Sequence, residues 1–308
     1  MQTSHVSFSA TDLVTLPGLL YTPDQPTSKV AVWLHGMGDS GVFYSPRRIT
    51  ALANSLTEQG IALLAFNNRG AHNSKLLYKD NPSLSRAEQR YQAGTHYELI
   101  ADCVPDINGA IAYLKSSNFQ TFYLVGHSTG ANKICVYNRL EANNPFSKYV
   151  LAGPGDDVGL NYQALGSQKF KRALQYAAAA IDDDKPLKIM PLYTGLHPFS
   201  AQSAYDILNP DGLYNIFPYY EALHGQLGTK ALFTELKSLT IPVQVIAGEY
   251  DEATTSAGGA AAALSLIEQQ LAAGIKSRSQ LIIIPDTDHS FHGAETLFAD
   301  KVASWLSQ

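Results

Sequence analysis

The chain has 308 residues, 45% of them apolar and 16% charged, with a formal net charge of −5. That balance describes a globular chain long enough to bury a large core, expected as one α/β domain over 1–308 carrying an insertion. It excludes nucleic acid as the main partner, because phosphate binding needs clustered Lys and Arg and no basic block is present.

From the N-terminus, Met1-Gln2-Thr3-Ser4-His5 carries neither the basic nor the long apolar segment of a secretion signal. No apolar run approaches a membrane span. A cytoplasmic location is therefore expected. β-rich runs at 5–10, 16–21 and 30–35 are the first predicted strands. The third ends in His35-Gly36-Met37-Gly38-Asp39-Ser40-Gly41, a glycine-rich turn at a strand end that can expose a backbone N–H. No Lys-Ser/Thr follows these glycines, which excludes a P-loop. The next strand, 61–66, is a continuous apolar run, as expected of a strand covered on both faces. After it come Asn67-Asn68-Arg69-Gly70, where Arg69 is expected in an internal salt bridge. Thr95-x-x-Glu98 reads as a capping box opening a helix through Ile107, Ile111 and Leu114. Tyr97, Ala101, Val104 and Ala112 fall near the same face, and Pro105 should kink or split the helix.

The predicted strand 121–126 runs into Gly126-His127-Ser128-Thr129-Gly130, and a helix-compatible stretch from Ala131 to Leu140 follows. A strand that turns at once into a helix strains the residue at the apex. Glycines on either side leave room for the close approach, and the serine is pushed out where a base and a substrate reach it. The two cysteines, Cys103 and Cys135, sit on predicted helices and are expected as buried thiols rather than a disulfide, as suits a reducing compartment.

After a strand at 148–152 the β/helix rhythm breaks. Residues 154–239 are rich in Tyr, Phe, Asp and Pro, including Tyr162, Phe170, Tyr176, Tyr193, Phe199, Tyr205, Tyr214, Phe217, Tyr219 and Tyr220. Helices near 162–181 and 200–207, shorter or weaker than those of the core, and no convincing strand are expected here. The segment reads as a cap lying over the carboxyl ends of the strands. Strand 242–248 is followed by Glu249-Tyr250-Asp251-Glu252, and the alanine- and leucine-rich stretch 255–273 is expected to be a helix after Gly258-Gly259. Strand 280–284 is followed by Pro285-Asp286-Thr287-Asp288-His289. A last helix spans about 294–306, with Leu297, Phe298, Val302, Trp305 and Leu306 inward. Strands alternating with helices predict a mostly parallel sheet with helices on both faces.

A serine hydroxyl is a poor nucleophile until a base takes its proton and a carboxylate orients the base. Ser128, Asp251 and His289 each follow a strand, and in an open α/β sheet the loops at the carboxyl ends of the strands share one edge. His289 competes with His292, and Asp251 with Glu249 and Glu252. His289 is preferred because it precedes the helix on a loop that can reach inward. Asp251 is preferred for its position just past the strand, with the glutamates solvated. The N–H groups of Met37 and Thr129 are the candidate oxyanion donors, with His35 bracing the loop at Gly36. Asp286, Asp288, His289 and His292 match no compact metal pattern, so no metal is expected.

His35-Gly36, Asn68-Arg69-Gly70, the Gly126–Gly130 motif, Gly248-x-x-Asp251 and Asp288-His289-Ser290-Phe291 together resemble the α/β-hydrolase superfamily over nearly the whole chain outside the cap. The resemblance implies an eight-stranded sheet, a serine nucleophile and no cofactor. Ala93-Gly94-Thr95 through Asp102-Cys103-Val104-x-Asp106-Ile107, with Gly126-His127-Ser128-x-Gly130-x-Asn132-Lys133, is similar to small hydrolases related to fungal siderophore esterases. The cinnamoyl and feruloyl esterases share the catalytic motifs. The loop 35–41 also resembles that of acyl-protein thioesterases, which usually carry Gln where this chain has Thr129. The expected activity is serine-dependent ester hydrolysis of a small aromatic or amphipathic ester. Thioester or peptide hydrolysis by the same residues, and a ligand receptor with little turnover, are the alternatives.

Overall fold

The structure is a computed structural model that describes residues 1–191 and 198–308. Its centre is one eight-stranded sheet. In chain order the strands are β1 (Gln2–Ser9), β2 (Thr15–Thr22), β3 (Lys29–Leu34), β4 (Ala62–Phe66), a hairpin pair β5 (Lys75–Tyr78) and β6 (Arg90–Ala93), then β7 (Thr121–His127), β8 (Phe146–Ala152), β9 (Val243–Gly248) and β10 (Gln280–Ile284). The sheet order is β1-β2-β4-β3-β7-β8-β9-β10, and β5 pairs only with β6. β1–β2 and β2–β4 are antiparallel and every later pair is parallel, so the carboxyl ends of β3, β4, β7, β8, β9 and β10 share one rim. All eight predicted strands are present, within a few residues of their expected bounds.

The helices are α1 (Pro46–Glu58), α2 (Cys103–Ser116), α3 (Thr129–Leu140), α4 (Asp157–Asp182), α5 (Ala201–Leu208), α6 (Tyr219–His224), α7 (Thr234–Lys237), α8 (Ala260–Gln270), α9 (Ala273–Lys276) and α10 (Glu295–Ser307). Alternation along the strands divides the core in two. Ala31 and Trp33 of β3 face Leu52 and Leu56 of α1 and Phe298 and Val302 of α10. Val30, Val32 and Leu34 face the other way, into a cluster with Ile107 of α2, Ile134 of α3 and Leu264 of α8. Between β8 and β9 lie α4, α5, α6 and α7.

Several expectations need correction. Thr95 and Glu98 do not cap a helix. The Thr95 hydroxyl accepts from Gly38 N and donates to Gly70 O, while Glu98 pairs with Lys133. The helix starts later, as a 3-10 turn at Ile100–Asp102 running into α2. Pro105 thereby falls in the first turn of α2, where a missing N–H costs nothing. Ala112 is exposed rather than inward. Leu297 is 42% exposed, because α10 turns that side away from α1. The helix expected after Gly258-Gly259 starts there as α8, preceded by a 3-10 turn at Glu252–Ala257, but it ends at Gln270, short of the expected 273. α4 is two helical stretches that meet at a non-helical Gly166, and together they span Asp157–Asp182, starting before the expected 162. Tyr193 lies outside the described residues. The β5–β6 hairpin was not anticipated.

Candidate active site

β7 ends at His127, and α3 begins at Thr129. Ser128 is the one residue between them, held at φ 57°, ψ −126°. The left-handed helical well lies near ψ +47°, so this conformation is outside every region a side chain favours. The neighbouring glycines permit the crossing. A β-carbon at Gly126 would overlap the Gly130 carbonyl, and one at Gly130 would overlap Leu34 O of β3. The serine backbone is anchored by Ser128 N donating to Ala152 O at 2.8 Å, which ties the elbow to the end of β8.

The loop after β3 meets the elbow directly. A β-carbon on Gly36 would stand 2.8 Å from Ser128 Cβ and 3.3 Å from its Oγ. His35 is fully buried and its Nδ1–H donates to Gly36 O at 2.9 Å. Burial and the nearby Lys133 charge hold its pKa well below the ordinary histidine value, so it is neutral. Met37 N has no hydrogen-bond acceptor among the described residues. Thr129 is the first residue of α3, so its N–H has no acceptor within the helix. Thr129 directly follows Ser128, and Met37 directly follows Gly36, which abuts the Ser128 side chain.

His289 and Asp251 are brought together. His289 Nδ1 lies 2.7 Å from Asp251 Oδ1, and Asp251 is 2% exposed. Asp251 also caps the turn that follows it, through Ala253 N at 2.9 Å, which fixes its carboxylate. Burial pulls the His289 pKa down, but the Asp251 bond and the charges of Asp251 and Glu252 outweigh it, leaving the ring above its ordinary value. The same ring closes on the elbow's neighbours. A β-carbon on Gly153, the residue after Ala152, would be 2.9 Å from His289 Cε1. The His127 and His289 ring centroids are 4.8 Å apart. Among the described residues no hydrogen bond joins the Ser128 hydroxyl to the His289 ring, whose Nδ1 bonds Asp251.

The rejected candidates go elsewhere. His292 is 74% exposed and paired with Asp288 at 2.7 Å. Glu249 accepts from Asp286 N. Glu252 is exposed but accepts from His289 N at 3.3 Å, so it holds the histidine's backbone. Arg69 is buried among Asp12, Asp102 and Asp106, far from serving a ligand. Cys103 and Cys135 are free and buried, and burial pushes both thiols up.

Sequence reasoning missed three residues behind the site: Asp39, Arg48 and His127. Arg48 was findable. Arg48, Leu52 and Leu56 recur at helical spacing, which puts a guanidinium on the buried face of α1. Sequence reasoning also missed Asp157 at the start of α4. Asn132 donates to its Oδ2 at 2.8 Å, and burial with the adjacent Asp156 pushes its pKa up to about 7. Tyr214 stands beside the Thr129 hydroxyl.

The family described as serine aminopeptidase, S33, matches residues 25–296. No curated protein matches the chain by sequence. Among solved structures, Est1E from Butyrivibrio proteoclasticus superposes at TM-score 0.62 and 15% identity, covering 98% of this chain and 97% of that one. Est1E with ferulic acid bound superposes at TM-score 0.64 and 16% identity, covering 98% of each chain. A highly thermostable carboxyl esterase from Bacillus coagulans superposes at TM-score 0.65 and 13% identity, covering 99% and 98%. The fold is the α/β-hydrolase fold, as the sequence motifs led us to expect.

Proposed function

The chain belongs to the serine aminopeptidase S33 family, and from that premise we propose that it hydrolyses a small carboxylic ester through an acyl-enzyme on Ser128. The observation that carries this reading is the 2.7 Å bond between Asp251 and His289 at the same rim as the strained Ser128. Ser128 Oγ attacks the ester carbonyl as His289 Nε2 takes its proton. The N–H groups of Met37 and Thr129 donate to the oxygen that becomes negative. Removing one such donor costs about 3–4 kcal/mol of transition-state stabilisation where it has been measured. His289 then gives the proton to the leaving alcohol and activates water against the acyl-enzyme. Asp251 holds the ring in the tautomer that leaves Nε2 free to accept, and stabilises the imidazolium.

The ester reading draws on the esterases of the same fold, and an aromatic or amphipathic substrate on the tyrosines between β8 and β9. The family description favours a second reading, peptide hydrolysis by the same three residues. Two free, buried thiols suit a reducing compartment, which supports a cytoplasmic location. No helix among the described residues is long and apolar enough to cross a membrane.

The deciding experiment sets wild type against Ser128→Ala on p-nitrophenyl esters of graded acyl length and on aminoacyl p-nitroanilides, alongside fluorophosphonate labelling. Ester turnover and labelling that both vanish in Ser128→Ala support the reading. Equal ester turnover in the two proteins refutes it, and anilide turnover alone selects the peptidase.

A further inference from the structure

One buried cation lies behind both halves of the site. Arg48 sits in the first turn of α1, 3% exposed, with its guanidinium over the Trp33 ring, 5.5 Å from the centroid. Its Nη2 donates to Asp39 Oδ2 at 2.8 Å. Its Nη1 donates to Ser290 O at 3.3 Å. The two acceptors belong to different loops, the one after β3 and the one after β10.

Asp39 organises the first loop. Its Oδ1 accepts from Ser40 N, its own N–H donates to Gly36 O at 3.3 Å, and its carbonyl accepts from His72 N. The Gly36–Asp39 bond closes a turn around Met37. Ser290, in the second loop, directly follows His289. The carbonyl of His289 itself is held by His127, whose Nε2 lies 2.8 Å from it. A carbonyl only accepts, so Nε2 carries the proton and His127 Nδ1 is bare, and it has no partner. Burial, with the charges of Arg48 and His289, keeps His127 neutral. The 3.5 Å approach of Arg48 Nη1 to His127 Nε2 is then donor against donor, a packing contact rather than a bond. Successive carbonyls, of His289 and Ser290, are thus fixed by His127 and Arg48.

We infer that Arg48 is a positioning residue, one guanidinium that sets the spacing between the loop presenting the Met37 N–H and the loop carrying His289. The inference rests on the hydrolase reading for its catalytic consequence, and on the hydrogen bonds above for its geometry. It explains why a charged side chain is buried at this point of α1, over the Trp33 ring. Only a planar fork reaches two acceptors on separate loops at once, and a lysine ammonium at that position cannot span both. A small misplacement of a reacting group slows chemistry on the order of a hundredfold, with little effect on ground-state binding.

The test uses Arg48→Met and Arg48→Lys in the full chain, with p-nitrophenyl ester kinetics and NMR titration of the His289 ring. The groups acting on that ring are Asp251 and Glu252 after β9, Asp157 at the start of α4, and Arg48 and His127 behind it. Arg48→Met is expected to lower kcat between about tenfold and a hundredfold with KM little changed, and to raise the ring pKa by removing a cation. Arg48→Lys is expected to keep the ring pKa near wild type while recovering only part of kcat. A folded Arg48→Met with wild-type kcat and ring pKa overturns the inference. Should Arg48→Met not fold, wild-type kcat in Arg48→Lys overturns it equally. Wild-type protein without Ser128-dependent turnover or fluorophosphonate labelling sinks the hydrolase reading instead, and unchanged backbone amide shifts of Met37 and Ser290 in Arg48→Met then overturn the spacing inference on its own.

Discussion

Replacing Ser128 by glycine rather than alanine separates the backbone of the elbow from its chemistry. Both substitutions remove the hydroxyl, and Ser128→Ala should be nearly neutral in stability because that hydroxyl has no protein partner among the described residues. Alanine, however, inherits φ 57°, ψ −126°. A side chain held in so sparsely populated a region costs about 1–3 kcal/mol. Glycine relieves that strain but loses about 0.4–1 kcal/mol to the greater freedom of its unfolded chain. The net expectation is that Ser128→Gly is more stable than Ser128→Ala by about 0.5–2 kcal/mol. With an unfolding entropy of about 2.1 cal/mol/K per residue over 308 residues, 1 kcal/mol moves the melting temperature by about 1.5 °C. Ser128→Gly should therefore melt about 1–3 °C above Ser128→Ala by calorimetry, with a matching shift in urea midpoint at equal slope. A glycine variant that melts below the alanine variant refutes the claim that the elbow stores strain.

Two further outcomes follow from the site and its surroundings. Asp251→Asn removes the principal group holding the His289 pKa above its ordinary value, while the burial that pulls it down remains. Wild type should lose activity on the acid side through an apparent pKa above about 6.5, since a protonated ring cannot accept a proton. The variant should shift that limb lower and lose on the order of 10³–10⁴ in kcat. The stability sign is the same. A raised histidine pKa contributes stability fully present below about 6.5 and lost as pH rises through the folded value. The wild-type advantage over Asp251→Asn in urea midpoint should therefore shrink between neutral and mildly alkaline pH, and a widening gap contradicts the assignment. Lys133 and Glu98 form a buried pair at 2.5 Å, 1% and 8% exposed. Lys133→Met should cost about 3–5 kcal/mol by stranding the carboxylate, and Lys133→Met with Glu98→Met should recover most of it in urea unfolding.

The central strands were legible because runs such as Ala62–Phe66 of β4 are apolar throughout and buried on both faces, and β1 and β2 because buried and exposed residues alternate along them. Gly126–Gly130 was legible because close approach tolerates nothing but glycine on either side of the strained residue. Ser128, Asp251 and His289 could be grouped as candidates because each follows a strand and the ends of parallel strands share a rim. These are local or topological constraints, and local sequence carries them.

Tertiary structure decided the rest, where the stabilising partner is remote in the chain. Thr95 and Glu98 have the pattern of a helix cap, yet Gly38, Gly70 and Lys133 offered them better bonds, and the helix begins later. The hairpin of β5 and β6 was hidden because two strands this short gain their stability from neighbours rather than from a period of their own. Arg48 reaches Ser290 across 242 residues of chain. No spacing rule links two such positions. Only the closing of the sheet, with α1 and α10 packed on one face, brings their loops within reach of a single guanidinium.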